Sequence, residues 1–434
     1  MNSTDYNYSP TVPQTLMRWA YTLLLAVATP FAIVNLWRKA AKQPDAFANR
    51  HKERFGLVPR AGSKPGYLFH CVSVGEVVAA SALIKRIMQN EPETPVTVTT
   101  TTATGSARVE AIFGDSVNHA YLPFDLPVTM KIMLSRLAPK AVIITEVELW
   151  PNLIHCCWKR QIPVVVINAR MTDRSARRYA KVSALFSPML HKLSHVCAQG
   201  ERDFNNYKQL GMQSDKITLT NNIKFDQAFS SEPDADFMGI QHANRKVLVG
   251  GSTHEPEEQV LLEAFNDLNA AHPQLLLVLV PRHPQRFDTV AKLLESASVN
   301  YVRSSQATQL PSDCEVVLLD EMGKLNQAYQ VADFSFVGGS LADRGGHNAL
   351  EPAAVGVPVM MGPHTYNNPV ICQYLENKKA LTIVDSAESL QACLKQWLDN
   401  PEQARRSGEA GQQVIRENSG ALEKTLDCLA EVLR

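Results

Sequence analysis

The sequence lacks an excess of either charge, because its 434 residues include 43 Lys plus Arg and 43 Asp plus Glu. A net charge of zero argues against a protein whose main partner is nucleic acid, since such proteins carry a basic excess. The eight cysteines form no C-x-x-C pair, so a zinc or disulfide-exchange motif is not supported. We expect these cysteines to be reduced, which favours a cytosolic body.

The sequence also lacks several motifs that bind nucleotides or metals. Neither G-x-G-x-x-G nor G-x-x-x-x-G-K-[ST] occurs, which argues against the dinucleotide fingerprint and the P-loop. No Asp-x-Asp pair stands at the end of a predicted strand, so we expect no metal and no cofactor. No internal repeat and no low-complexity run is present.

Near the N-terminus, the stretch Trp19–Trp37 contains no charged residue. As a helix it would be about 28 Å long, close to the apolar thickness of a bilayer, about 30 Å. We therefore predict a single membrane span as an anchor, with two alternatives: a helix lying in the membrane interface and a cleaved signal peptide. Basic residues such as Arg38, Lys39 and Lys42 follow it, so the body is expected on the cytoplasmic side.

Beyond this segment, continuous apolar runs alternate with helix-like stretches such as Val77–Gln89. This pattern indicates parallel sheets that are covered by helices on both faces, with ligands bound beyond the carboxyl ends of the strands. The predicted strands are Tyr67–Val72, Pro95–Thr102, Ala141–Glu148, Pro163–Ala169, His195–Gln199, Lys246–Gly250, Leu275–Pro281, Glu315–Leu319, Phe334–Val337, Val357–Met361 and Ala380–Val384.

A polar segment interrupts the alternation near the middle of the chain and indicates two doubly wound α/β domains. We predict an anchor over residues 1–45, a first Rossmann-like domain over 46–228, a linker over 229–243 and a second Rossmann-like domain over 244–434. We leave open whether the last helix returns to the first domain.

In the first predicted domain, the motif SVGE follows a strand and opens a helix, which places Glu76 at a strand–helix junction. A carboxylate there can take a proton from a substrate hydroxyl. The alternative is a first-turn acid that interacts with the helix dipole. The loop TTTTATGS after the next strand also has two interpretations. It either binds a sugar or phosphate or caps the helix that follows.

Two further groups of charged residues follow predicted strands. Pleating at the end of an apolar run lets Glu146 or Glu148 face a substrate while Val147 points the other way, and a solvated loop edge is the alternative. Four arginines after the next strand suit phosphate or carboxylate recognition, with a solvated helix face as the alternative. They are Arg170, Arg174, Arg177 and Arg178.

In the second half, Arg282 directly follows a predicted strand and is well placed to bind a phosphate. Two glycine-rich segments, VGGS and RGGHNALE, let the backbone approach a ligand, and helix N-termini favour anions. Glu351 in the second segment suits binding of ribose hydroxyls. The alternative is a capping box in which Asn348 is the N-cap.

Taken together and in order, these motifs resemble the Kdo transferase family, whose members transfer 3-deoxy-D-manno-octulosonate (Kdo) onto lipid A precursors. The resemblance runs over nearly the whole chain and includes the N-terminal apolar segment. It is carried by ERFG, HCVSVGE, TVTTTTATGS, YLPFDLP, TEVELWPN, NAR, NIKFD, STHEPEE, VPRHPQRF, EMGKL, ADFSFVGGSLADRGGHNALEPA and MGPHTYN.

The resemblance implies an α/β GT-B fold, in which two Rossmann-like domains face each other across a cleft and the second binds the donor nucleotide. It implies an inverting glycosyltransferase of lipopolysaccharide core biosynthesis, anchored in the bacterial inner membrane. The donor is expected to be CMP-Kdo and the acceptor lipid IVA, the tetraacyl precursor of lipid A. No nucleic acid is expected as a partner.

By motif match, the resemblance gives Glu76 the role of general base. It gives Glu146 and Lys224 a role in supporting the transition state. It assigns CMP binding to Pro281, Arg282, Met322, Gly323, Lys324, Asn348, Ala349, Leu350 and Glu351.

Three residues depart from the family's pattern: Lys324, Ala349 and Val147 stand where glutamate, proline and threonine are frequent. If Lys324 and Ala349 contact the nucleotide through their backbone, these departures leave nucleotide binding unaffected. Three rival functions stay open: a GT-B transferase that uses another nucleotide sugar, a nucleotide-sugar epimerase, and a non-catalytic membrane scaffold. The number of Kdo units added also stays open.

Overall fold

A computed structural model describes residues 6–42, 50–60, 62, 64–228, 237–240 and 243–433. The chain divides into two compact units. Unit 1 comprises residues 1–227 and 419–434, and unit 2 comprises residues 228–418. Most of the predicted linker over 229–243 lies outside the described residues; the structure describes only 237–240 and 243 of it.

Unit 1 is built on a seven-stranded parallel sheet with the order β3-β2-β1-β4-β5-β6-β7. Its central strands β4 and β5 are buried along their whole length, as expected for Val- and Ile-rich strands covered on both faces. The strand order reverses between β1 and β4, which are hydrogen-bonded neighbours. The strands are β1 Tyr67–His70, β2 Val96–Thr100, β3 Asn118–Tyr121, β4 Ala141–Thr145, β5 Val164–Ala169, β6 His195–Ala198 and β7 Ile217–Leu219.

The helices of unit 1 begin with recognisable sequence signals. Pro127 and Pro151 occupy first-turn positions, where a missing N–H costs nothing, and the Thr102 and Thr172 side chains accept hydrogen bonds from first-turn N–H groups. The helices are α1 Val12–Lys42, α2 Val74–Asn90, α3 Ala103–Phe113, α4 Pro127–Leu137, α5 Pro151–Lys159, α6 Asp173–Lys181, α7 Ser183–Lys192, α8 Glu201–Gln209 and α9 Lys224–Gln227.

Unit 2 repeats this architecture with a second seven-stranded parallel sheet, ordered β10-β11-β9-β8-β12-β13-β14. Its strand order reverses between β8 and β12. The strands are β8 Lys246–Thr253, β9 Leu275–Pro281, β10 Tyr301–Arg303, β11 Val316–Leu318, β12 Phe334–Val337, β13 Val359–Met361 and β14 Leu381–Ile383. The helices are α10 Glu257–Asn269, α11 Phe287–Ser296, α12 Leu325–Gln330, α13 Leu350–Ala354, α14 Pro369–Asn377, α15 Ala387–Asp399 and α16 Pro401–Asn418.

The last helix, α17 (Ala421–Val432), belongs to unit 1, where it packs against β6 and α2. The Asp226 carboxylate fixes its start, because it accepts hydrogen bonds of 2.6 Å from the N–H groups of Gly420 and Leu422. A carboxylate at this position also complements the positive end of the helix dipole.

One face of α1 is docked on unit 1. Arg18 donates to Asn152 Oδ1 at 3.1 Å, Asn152 Nδ2 donates to Thr22 Oγ1 at 3.0 Å, and the Tyr21 hydroxyl donates to Asp125 Oδ2 at 3.0 Å. The helical segment Val12–Arg38 is long and apolar enough to cross a membrane. The helix therefore combines an apolar exposed side with a polar side that is held by protein.

The motif ERFG has a structural part in unit 1. Glu53 accepts a 2.7 Å hydrogen bond from the Tyr121 N–H, and Arg54 donates to the carbonyl oxygens of Thr101 and Leu122. Gly56 has φ of +84°, and a Cβ there would lie 2.3 Å from a backbone oxygen, so a side chain is excluded.

Candidate active site

The candidate active site of unit 1 lies at the carboxyl ends of β1 and β4. Glu76 stands in the first turn of α2, which follows β1, and Glu146 directly follows β4. In open parallel sheets, ligands bind at the point where the strand order reverses, and that point here lies between these two strands. The topology of unit 1 therefore brings these two predicted residues to one edge of the sheet.

Glu76 is a nearly buried carboxyl group with few hydrogen-bond donors. The residue is 8% exposed. Its Oε2 accepts a 2.5 Å hydrogen bond from the Val72 N–H, and Ser73 Oγ lies 3.4 Å from Oε1. Burial, together with the charges of Glu146 and Glu148, raises the pKa of Glu76 to about 8 against the lowering effect of the Val72 N–H. This carboxyl is therefore poised to exchange a proton near neutral pH.

Glu146 adopts a backbone conformation that is uncommon for residues other than glycine. Its φ is +62°, and its N–H donates to the Ile167 carbonyl at 3.0 Å. Because β4 ends at Thr145, the prediction that strand pleating orients Glu146 and Glu148 is wrong. Such backbone strain persists where surrounding structure enforces it, and it clusters at functional sites.

Lys224 and Arg170 supply the positive charge near these carboxylates. Lys224 opens α9, and its N–H donates to Asn222 Oδ1 at 3.0 Å. Burial lowers the pKa of Lys224, and Arg170 lowers it as well, whereas the charges of Glu146 and Glu76 raise it. The predicted trio of Glu76, Glu146 and Lys224 thus forms one electrostatically coupled group in unit 1.

The other candidates of unit 1 do not join this group. Arg174, Arg177 and Arg178 are exposed on α6, as expected for a solvated helix face. In the loop TTTTATGS, Thr102 Oγ1 accepts a hydrogen bond from the Gly105 N–H at 3.0 Å and so caps α3. The capping alternative is therefore confirmed for this loop.

In unit 2, three histidines meet where the loops after β8, β9 and β12 come together. The rings of His254 and His347 stack with centroids 5.2 Å apart, and their Nε2 atoms lie 2.9 Å apart, so that one nitrogen donates and the other accepts. The ring of His283 meets the His254 ring edge-on at a centroid distance of 5.2 Å. Burial lowers the pKa of both His254 and His347, so this pair is neutral at physiological pH.

A buried carboxylate holds the glycine-rich loop that follows β12. Glu257 has no exposed surface, and it lies at the start of α10. Both of its oxygens accept hydrogen bonds from backbone N–H groups at 2.8–3.1 Å, an arrangement in which the carboxylate takes the place of a bound anion. The donors to Oε2 are His254 and Gly339, and the donors to Oε1 are Ser340, Leu341 and Ala342.

Among the predicted CMP-binding residues, Arg282 and Met322 expose their side chains. Arg282 is held by its N–H, which donates to the Thr253 carbonyl at 3.0 Å. Lys324 forms a 2.8 Å ion pair with Glu321. Pro281 is buried, and Gly323 has φ of +88°.

The second predicted CMP-binding segment surrounds the start of α13. Ala349 and Leu350 are buried, whereas Asn348 Nδ2 donates to Glu351 Oε1 at 3.1 Å. The predicted capping box is wrong in register, because α13 begins at Leu350 and its N-cap is Ala349. Burial raises the pKa of Glu351, against the lowering effects of the Asn348 hydrogen bond and the Arg282 charge.

Within the described ranges, no group of three or more His, Cys, Asp and Glu side chains is arranged to hold a metal ion.

Comparison with known proteins identifies the family. The family model for 3-deoxy-D-manno-octulosonic-acid transferase (kdotransferase) matches residues 49–227, and the model for group 1 glycosyl transferases matches residues 245–414. A Haemophilus influenzae protein named 3-deoxy-D-manno-octulosonic acid transferase is 39% identical over 425 residues, which cover 96% of this chain and 99% of the relative. The chain belongs to the Kdo transferase family.

This Kdo transferase is also 34% identical to a Bordetella pertussis protein of the same name over 437 residues, which cover 96% and 99% of the two chains. Acinetobacter baumannii MurG is similar in fold, with a TM-score of 0.56 at 13% identity over 85% of this chain and 100% of that chain. A UDP-GlcNAc 2-epimerase from Neisseria meningitidis bound to UDP-GlcNAc gives a TM-score of 0.57 at 14% identity over 84% and 100%. The predicted GT-B fold of a glycosyltransferase is confirmed.

Sequence reasoning on this transferase missed the loop anchor Glu257 and the stacked pair of His254 and His347. The motif STHEPEE was recognised, but no local signal in it shows that a buried carboxylate reaches a loop more than eighty residues away. A fully buried acid in the first turn of a helix requires several donors, so burial was the missing observation.

Proposed function

We propose that this Kdo transferase moves Kdo from CMP-Kdo to a hydroxyl group of lipid IVA, with inversion at the anomeric carbon. The observation that carries the proposal is the coupled group of Glu76, Glu146 and Lys224 at the switch point of unit 1, in a chain of this family. The acceptor oxygen forms a bond to the anomeric carbon of Kdo, and the bond from that carbon to the CMP phosphate breaks.

Glu76 acts as the general base in this step and takes the proton of the acceptor hydroxyl. Its pKa near 8 makes it a stronger base than an ordinary carboxylate once it is ionised. A base of this kind contributes about 10²–10⁴-fold to the rate. The neighbouring Lys224, which lies within the field of Glu76 and Glu146, supplies the positive charge that stabilises developing negative charge in the transition state.

Unit 2 binds the CMP moiety of the donor. The exposed guanidinium of Arg282 suits a phosphate oxygen, and Glu351 next to Asn348 offers acceptors to the ribose hydroxyls. The loop held by Glu257 leads to Gly345 and Gly346, where positive φ and close packing against Tyr366, Asn367 and Met361 exclude a side chain. Ala349 is almost fully buried, so we expect its side chain to make no contact with the nucleotide and its departure from the frequent proline to have little effect.

The helix α1 anchors the enzyme at the cytoplasmic face of the bacterial inner membrane. Its docked side, fixed by Arg18, Tyr21 and Thr22, supports the interfacial alternative over the predicted single span, with the other side of the helix in the lipid. An acyl-chain acceptor stays in the membrane, so this attachment raises the rate at which enzyme and acceptor meet. A reporter fused to the C-terminus should be active in the cytoplasm, and activity only in the periplasm would contradict this orientation.

Donor specificity tests the proposal directly. Detergent-solubilised enzyme, mixed with lipid IVA, should release CMP from CMP-Kdo and leave UDP-GlcNAc unchanged. Conversion of UDP-GlcNAc to its 2-epimer, or transfer of its sugar to the lipid, would replace the proposed function by one of its rivals.

A further inference from the structure

A second pocket on unit 1 involves none of the residues assigned to the transfer reaction. It has a volume of about 400 Å³ and lies between the start of α1 and the helices α5 and α7. Its charged and aromatic lining consists of Tyr8, Arg18, His155, Trp158, Lys159 and Lys192.

The pocket concentrates positive charge, and no carboxylate lines it among the described residues. Arg18, Lys159 and Lys192 line it, and none of its lining residues is Asp or Glu. The nearby Asp125 is already engaged, because it accepts hydrogen bonds from the Tyr21 hydroxyl and from two N–H groups at the start of α5. Arg18 interacts with the charge of Asp125, whereas no carboxylate among the described lining residues stands beside Lys159 and Lys192.

Lys192 is the most informative of these cations because only 3% of it is exposed. Its ammonium lies 5.4 Å from the ring centroid of Trp158 and 6.0 Å from that of Tyr8, so two aromatic faces support the charge. Burial, together with the charges of Arg18 and Lys159, lowers the pKa of Lys192 to about 8. A buried cation repelled by its neighbours is stabilised by an anion that enters the pocket.

His155 adds a free polar atom to the same wall. Its Nδ1 is buried and has no hydrogen-bond partner among the described residues, so its hydrogen-bonding capacity is unsatisfied. The ring packs against Trp158 at a centroid distance of 5.8 Å. The pocket thus offers both a charge and a hydrogen-bonding group to an occupant.

The setting of the pocket indicates where its anion comes from. The same helix that contributes Arg18 exposes a strip of apolar side chains on its other side, which is the side proposed to enter the lipid. A cationic pocket beside an inserted apolar strip lies at the depth of lipid headgroups. The exposed apolar residues of this strip are Leu16, Leu23, Leu24, Val27, Phe31 and Val34.

We propose that this pocket binds the phosphate of an anionic membrane lipid, with Lys192 as its central cation. The inference rests on the proposed attachment to the membrane and adds a lipid-specific site to it. The apolar strip of α1 inserts into any bilayer. The pocket makes binding stronger when the lipid headgroup has a phosphate and no positive charge of its own.

Flotation of the full-length protein with vesicles separates the two effects. Vesicles of phosphatidylcholine alone are compared with vesicles of equal parts phosphatidylcholine and phosphatidylglycerol. We expect tighter binding to the vesicles that contain phosphatidylglycerol. Lys192→Met should reduce this gain in affinity by about fivefold and leave binding to phosphatidylcholine unchanged. The factor corresponds to about 1 kcal/mol per cation near an anionic surface. An unchanged gain in Lys192→Met, or no gain in the unaltered protein, would overturn the proposal.

A second substitution and a control guard against misfolding. Lys159 is exposed at the end of α5, so Lys159→Gln should fold normally and still reduce the phosphatidylglycerol gain. Lys208, exposed on α8 and outside the pocket, is the matched control, and Lys208→Gln should keep the full gain. An equal loss in the Lys208 variant would show that net charge alone is responsible and would refute a specific pocket.

Calorimetric titration distinguishes a lipid phosphate from a free one. Short-chain phosphatidylglycerol should bind the solubilised protein saturably, and Lys192→Met should weaken this binding by about fivefold. Equally strong binding of inorganic phosphate would overturn the lipid assignment. Because Kdo transfer is assayed separately with detergent-dispersed acceptor, failure of the pocket and failure of the proposed function remain distinguishable.

Discussion

Substitution of Glu257 by glutamine tests how the glycine-rich loop of unit 2 is held. The carboxylate accepts two N–H groups at Oε2 and three at Oε1, and glutamine replaces one of these oxygens by an NH₂ group. At least two buried N–H groups then lose their acceptor, at a cost of about 1–3 kcal/mol each. The change should therefore destabilise the closed loop by about 2–6 kcal/mol.

Hydrogen exchange measured by mass spectrometry reads this effect locally. Peptides that cover Gly339 to Ala342 should exchange at least about 30-fold faster in Glu257→Gln, while the sheet of unit 1 keeps its protection. CMP binding should weaken in parallel, because the same loop leads to Asn348 and Glu351. Glu255 is exposed two residues away, so Glu255→Gln is the matched control and should leave both readouts unchanged. Unaltered loop exchange in Glu257→Gln would refute the role assigned to this carboxylate.

Three further predictions concern unit 1. Glu76→Gln should fold normally and lose about 10²–10⁴-fold in turnover, and kcat/KM of the unaltered enzyme should rise with pH and level off above about 8, as steady-state assays can establish. Because the folded protein holds a proton on Glu76 that the unfolded chain has released, the free energy of unfolding should fall by up to about 1.4 kcal/mol per pH unit between 4.5 and 8. Denaturant titrations should show that the free energy of unfolding of Glu76→Gln lacks this fall. If it fell with pH as steeply in the variant as in the unaltered protein, the raised pKa of Glu76 would be contradicted. Tyr21→Phe removes one hydrogen bond to Asp125 and should lower the free energy of unfolding by about 0.5–1.5 kcal/mol, whereas no change would argue against a docked α1.

The sequence predicted the buried strands of both sheets, with ends within a few residues. It missed β3, β7 and β10, which are edge strands of three or four residues. These three strands have a neighbour on only one side and are partly exposed, so they need no continuous apolar run, whereas the edge strand β14 was predicted from the run Ala380–Val384.

The candidate site was predictable where residues follow strands and unpredictable where distant segments meet. Glu76 and Arg282 could be located from the junctions that contain them. The contact of His254 with His347 joins residues 93 positions apart, and Tyr21 bonds to Asp125 across 104 positions. Such contacts depend on strand order and helix docking, which hydrophobic periodicity does not encode.

The central claim is that this enzyme attaches Kdo to a lipid A precursor with Glu76 as the base. The most direct test is mass spectrometry of lipid IVA after incubation with CMP-Kdo and either the unaltered enzyme or Glu76→Gln. We predict a lipid heavier by one or more Kdo units with the unaltered enzyme and almost none with the variant, and the mass also counts the sugars added. An unchanged lipid with folded, unaltered enzyme would contradict the donor or the acceptor, and full product with Glu76→Gln would contradict the base.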